Sequence, residues 1–163
     1  MRSVFALFER YEDCEEALGE LPEQGFEEQE MNVIVDQEVA KTNLDVSLQQ
    51  VDVKATDELG ERRTGLDILL GTEQPVDVPR LGAVYAAGDL ATILVKTAAA
   101  PDTGGLEEAL MDFSVSRPIA DAYAEGILAD GLLFWIRTDD ERASEAGEIL
   151  REHNGVHVAS YAG

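Results

Sequence analysis

Apolar positions fall in the same order at both ends of the chain. Val4-Phe5-Ala6-Leu7-Phe8 is a short continuous apolar run, the pattern of a strand covered within a sheet. Glu12, Asp13, Glu15 and Glu16 follow, and acids complement the positive end of a helix dipole. Cys14, Ala17, Leu18 and Leu21 then recur at helical spacing. The helix is predicted to start near Glu12 or Asp13 and to be ended by Pro22 and Gly25. Met31-Asn32-Val33-Ile34-Val35 makes a second apolar run. Near the C-terminus, Leu132-Leu133-Phe134-Trp135-Ile136 leads to Thr138 and Glu141, spaced as a capping box. Ala143, Ala146, Ile149 and Leu150 supply the next apolar stripe, His153-Asn154-Gly155 a helix stop, and Val156-His157-Val158-Ala159 the last run. Strand–helix–strand at both ends predicts an α+β fold, a ferredoxin-like split βαβ antiparallel sheet.

Between the ends the pattern changes. Leu44, Val46, Leu48, Val51 and Val53 alternate with polar residues, predicting one or two half-buried strands. Residues 56–70 read as a helix capped by Thr56, weakened by Gly60 and Gly65. Pro75 and Pro79 bracket an extended Val76-Asp77-Val78. Thr92, Ile93 and Val95 predict a strand over 90–95. After a loop at 101–105, Leu106, Ala109, Leu110 and Phe113 have helical spacing. So do Ile119, Ala122, Tyr123, Gly126 and Ile127, with Ser116 as cap and Pro118 in the first turn. The expected organisation is one domain, 1–163: a first βαβ unit (4–36), an insertion of extra strands (37–103), a helical hairpin (104–130) and a second βαβ unit (131–160).

Charge changes the picture more than size does. The chain has 34 acidic against 12 basic residues, a net charge of −22, and its only lysines are Lys41, Lys54 and Lys96. Nucleic-acid binding depends on Lys and Arg neutralising phosphates, so no nucleic-acid partner is expected; anionic membranes are disfavoured for the same reason. The acids are spread along the whole chain, the pattern expected of a protein adapted to high salt, where screening removes self-repulsion. A local carboxylate cluster for divalent cations or a basic partner is the competing reading. Cys14 stands alone, which excludes a disulfide framework; on an apolar stripe it reads as a small buried hydrophobe. Residues 1–8 are too short for a signal peptide, and no apolar run approaches the roughly 20 residues of a membrane helix. A soluble cytoplasmic protein is expected.

Val78-Pro79-Arg80-Leu81-Gly82-Ala83-Val84-Tyr85-Ala86-Ala87-Gly88 carries a second kind of signal. With it go Gly105-Leu106, Leu110, Phe113-Ser114-Val115, Ala120, Tyr123, Glu125, Gly131-Leu132-Leu133 and Arg137-Thr138-Asp139-Asp140. Ile149-Leu150-Arg151-Glu152-His153-Asn154-Gly155 completes the set. Together these segments resemble the bacterial general-stress or low-temperature-induced protein family. The resemblance implies a stress-linked role and supplies no catalytic residues. Many members have a long Gly/Ala-rich apolar middle, where this chain has polar, alternating segments at 44–54.

Candidate chemistry is sparse. His153 and His157 are four apart, but Asn154-Gly155 breaks the helix between them, so they do not form a two-ligand helical face. Asp139-Asp140-Glu141, Glu12-Asp13 and Glu27-Glu28-Gln29-Glu30 lack the spaced Asp/Asn-plus-Gly loop of a calcium site. No glycine-rich phosphate loop or GxSxG elbow is present. No catalytic, cofactor-binding or metal-binding residue is therefore assigned, and no cofactor is expected. Phe134 and Trp135 point to opposite sheet faces, and because such a sheet often has one open face, one of the two is the expected contact of a homodimer. The leading expectation is a non-catalytic stress-related protein that acts by binding or self-association. A ligand-binding protein or enzyme with a cavity at the sheet is the second reading, and an acidic divalent-cation binder the third.

Overall fold

A computed structural model describes residues 2–27, 30–39, 76–100 and 105–162. The elements are β1 (Arg2–Phe8), α1 (Tyr11–Glu23), β2 (Met31–Asp36), β3 (Val76–Val78), β4 (Gly82–Ala87) and α2 (Asp89–Ala99). They continue with α3 (Leu106–Asp112), α4 (Arg117–Leu128), β5 (Leu132–Thr138), α5 (Asp140–Glu152) and β6 (Val156–Ala162). The strands form one antiparallel sheet in the order β3-β4-β2-β5-β1-β6. β5 lies between β1 and β2, and β1 between β5 and β6, so the two terminal βαβ units interleave as a split βαβ sheet. Phe5 pairs with Trp135 and Ala6 with Phe134, which puts the two terminal apolar runs side by side. The fold is α+β and ferredoxin-like. β3 and β4 are extra strands added beyond β2, and α3 with α4 is the helical hairpin before β5.

Strand alternation sorts the core into two. Val4, Ala6, Phe8, Val33, Phe134 and Ile136 face α1 and α5. Phe5, Leu7, Ile34, Leu133 and Trp135 face α2, α3 and α4. The sheet is thus covered on both faces, and the side expected to be open is closed by helices of the same chain. Phe134 and Trp135 do lie on opposite faces, but each is 0% exposed. Neither has surface to offer another subunit, which corrects the expected interface.

Other expectations change for local reasons. Residues 90–95 are not a strand; they lie in α2, whose buried positions Ala91, Leu94, Val95 and Ala98 have helical spacing, with β-branched Ile93 exposed. Here tertiary burial overrides the β-branched preference. Pro22 sits inside the last turn of α1, and the helix ends at Glu23, with Gln24 as its C-cap and Gly25 (φ +94°) turning the chain away. Asp139, not Thr138, occupies the N-cap of α5, with no side-chain capping bond, because Thr138 is still paired in β5. Ser116 holds the N-cap position of α4, again without a capping bond. The stop at His153-Asn154-Gly155 is as expected. Asn154 is left-handed (φ +70°), and the Gly155 N–H donates to the Leu150 carbonyl. The alternating segments at 44–53 and the helix expected over 56–70 lie outside the described residues. No helix among the described residues is long and apolar enough to cross a membrane.

Candidate functional site

One stripe of α5 is built from small and polar residues rather than leucines. Asp140, Ala143, Ser144, Gly147 and Arg151 recur along the helix flank that faces β6 and the start of β1. Without large side chains on that stripe, α5 does not seal against the sheet edge. A groove of about 330 Å³ remains, with Val4, Val158 and Ala159 along its apolar side and Arg2, Asp140, Ser144, Arg151 and Ser160 supplying polar groups. That volume is at the small end of ligand pockets. Gly147 keeps the groove open: a Cβ there would already touch Arg151 Nη1, Val158 Cγ1 and Val4 Cγ1 at 3.6–3.8 Å.

The two arginines of the groove differ in their partners. Arg2 Nε lies 3.7 Å from Asp140 Oδ1, and Arg2 Nη1 donates to Ser160 Oγ at 3.4 Å, both long contacts. Arg151 has no ion pair or side-chain hydrogen bond with any described residue. Elsewhere Arg10 pairs with Glu12, Arg80 with Glu107, Arg117 with Glu108 and Arg142 with Glu145, whereas Arg137 has no ion pair among the described residues and its buried Nε has no hydrogen-bond partner there. What sets Arg151 apart from Arg137 is its place: it is exposed, in a groove it shares with a second arginine and two hydroxyls. An exposed or half-exposed guanidinium pair of this kind can take a carboxylate or phosphate group by charge-assisted hydrogen bonds.

A smaller groove of about 170 Å³ at the start of α5 contains Arg137 and Arg142 but also Glu27, Glu30 and Asp139. Arg142 is committed there to structure. Its guanidinium lies 4.1 Å from the centre of the Phe26 ring and donates to the Gln24 carbonyl and Glu145. This ties α5 to the end of α1, and the charge of Arg137 there is offset by the three carboxylates that line the same groove.

Comparison with protein-family models, curated proteins and solved structures finds no match. The site must therefore be read from its own chemistry.

Of the sequence candidates, Asp140 lines the groove and the two histidines do not. His153 Nε2 meets Glu20 Oε1 at 2.6 Å and fastens the end of α5 to α1. His157 belongs to the other layer's chemistry: at a bulge in β6 (φ +52°), its carbonyl accepts the Tyr123 hydroxyl from α4 at 2.6 Å. Glu12 and Asp13 stand in the first turn of α1, Asp140 and Glu141 in that of α5. Glu28 and Gln29 lie outside the described residues. Among the described residues no group of three or more His, Cys, Asp or Glu is arranged to hold a metal ion.

Burial, followed by the charges of Glu15 and Asp13, pushes the Cys14 thiol well above its ordinary 9.0. Burial likewise raises the Tyr123 phenol from 10.0. Both groups are held protonated, the opposite of what an activated nucleophile requires. Sequence reasoning passed over Arg2, Ser144, Arg151 and Ser160. The readable signal was the α5 flank itself, where alanine, serine and glycine stand at positions that a sealed helix would fill with larger residues.

Proposed function

We propose that this is a non-catalytic binding protein that takes a small organic anion in the groove between α5 and β6. Its carboxylate or phosphate would be held by Arg2 and Arg151, and its short apolar tail would lie along Val4 and Val158. The observation that carries the reading is Arg151, exposed, without an ion pair among the described residues, and sharing a groove with Arg2. We also propose a stress-related role in a salt-rich cytoplasm, the reading favoured by the family resemblance and the net charge of −22.

The test is calorimetric titration in molar KCl with butyl phosphate and with pentanoate, which share a short apolar tail and differ in the anion. Saturable binding of at least one is expected, weakened about tenfold by Arg151→Gln, the loss of one charge-assisted contact of about 1.4 kcal/mol. No heat with either probe, or binding indifferent to Arg151→Gln, refutes the reading.

A further inference from the structure

The two edges of the sheet are protected very differently. β3 is three residues long and carries exposed Asp77, a short and charged edge of the kind that discourages strand addition. β6 is seven residues long, and its sequence Val-His-Val-Ala-Ser-Tyr-Ala contains no Asp, Glu, Lys or Arg. Among the described residues β6 pairs only with β1, so its outer row of N–H and C=O groups has no strand partner. For a chain of net charge −22, most surfaces repel a second copy of themselves. The uncharged β6 edge is the strand that two copies can bring together without opposing carboxylates.

We propose that β6 is the contact of a homodimer in which two copies of β6 pair antiparallel and continue the sheet across a two-fold axis. Antiparallel pairing of identical strands is isologous, and its axis stands normal to the sheet. Both α5 helices then lie on the same face, on either side of the axis. The bulge at His157 confines regular pairing to the stretch from Val158 onward. The contact stands whether or not the groove takes an anion.

Analytical ultracentrifugation over a wide concentration range in molar KCl, joined to hydrogen–deuterium exchange, tests it. A reversible monomer–dimer transition is expected, with amides of residues 158–162 slowing as the dimer forms. Ala159→Glu, which sets like charges across the axis, should move the midpoint to about tenfold higher concentration or more. A monomeric mass at every concentration overturns the proposal. So does a doubled mass with no change in exchange at 158–162, which would put the contact elsewhere, and this readout needs no variant.

Discussion

Replacing Asn32 with alanine strikes the one polar side chain in the apolar run of β2. Asn32 is 2% exposed, and its Oδ1 accepts the backbone N–H groups of both Leu90 and Ala91 at 3.0 Å. These are first-turn donors of α2, which have no partner within their own helix. The N-cap residue of that helix is Gly88, which has no side chain to offer, so the strand supplies the cap from across the fold. Gly88 makes this approach feasible: at φ +100°, a Cβ would collide with Asn32 Oδ1 and the Met31 carbonyl. In Asn32→Ala two N–H groups lose their acceptor at a buried site, each costing about 1–3 kcal/mol if left dry. Losing a cap ordinarily costs about 0.5–2 kcal/mol. Partial hydration of the vacated space limits the sum, and a net loss of about 2–4 kcal/mol is expected.

Urea denaturation in molar KCl measures that loss, and hydrogen exchange at Leu90 and Ala91 locates it. Asn32→Asp keeps the acceptor and adds a negative charge at a helix N-terminus. It should recover at least half of the loss, although the weak bond from Nδ2 to the Glu30 carbonyl goes. The Gly88→Ala and Asn32→Ala effects should be less than additive, because both break the same contact. An Asn32→Ala variant within about 0.5 kcal/mol of the parent would refute the assignment of Asn32 as the remote cap.

Three further outcomes are expected. Trp135→Ala should destabilise the fold by about 3–5 kcal/mol, since Trp135 is fully buried and stacks 4.9 Å from Phe5. Trp135→Phe should cost far less, because it also removes an indole N–H that has no partner among the described residues; equal losses in denaturant titrations would contradict this. The raised Cys14 pKa makes the unfolded chain the readier proton donor, so its contribution to stability is intact below pH 9 and is lost as pH rises beyond it. The slope grows from pH 9 towards a limit of about 1.4 kcal/mol per pH unit, and Cys14→Ala should remove that component from stability measured between pH 9 and 10. With a net charge of −22, melting temperature should climb from low salt to molar KCl as the screening length falls from about 10 Å to about 3 Å. A flat melting curve over that range would count against adaptation to high salt.

Much of the architecture was readable from the chain because periodicity reports which face of each element is buried. The runs at 4–8, 31–35 and 132–136, and the stripes of α1 and α5, carry that information locally, and two such units have few ways to share one sheet. The 90–95 segment failed because β-branched content describes a residue's preference and not its surroundings; burial of Ala91, Leu94, Val95 and Ala98 against the sheet decided for helix.

Three things depended on contacts between residues far apart in sequence. α2, α3 and α4 cover the sheet face that was expected to be open, which moves Phe134 and Trp135 from candidate interface to core. Asn32 finds its partners near residue 90, and no local pattern announces that a strand will cap a helix. Arg2 and Arg151 meet at one groove only because β1, β6 and α5 pack together there. Local spacing determines which face of a segment avoids water; which distant polar groups then converge is settled only when the layers are assembled.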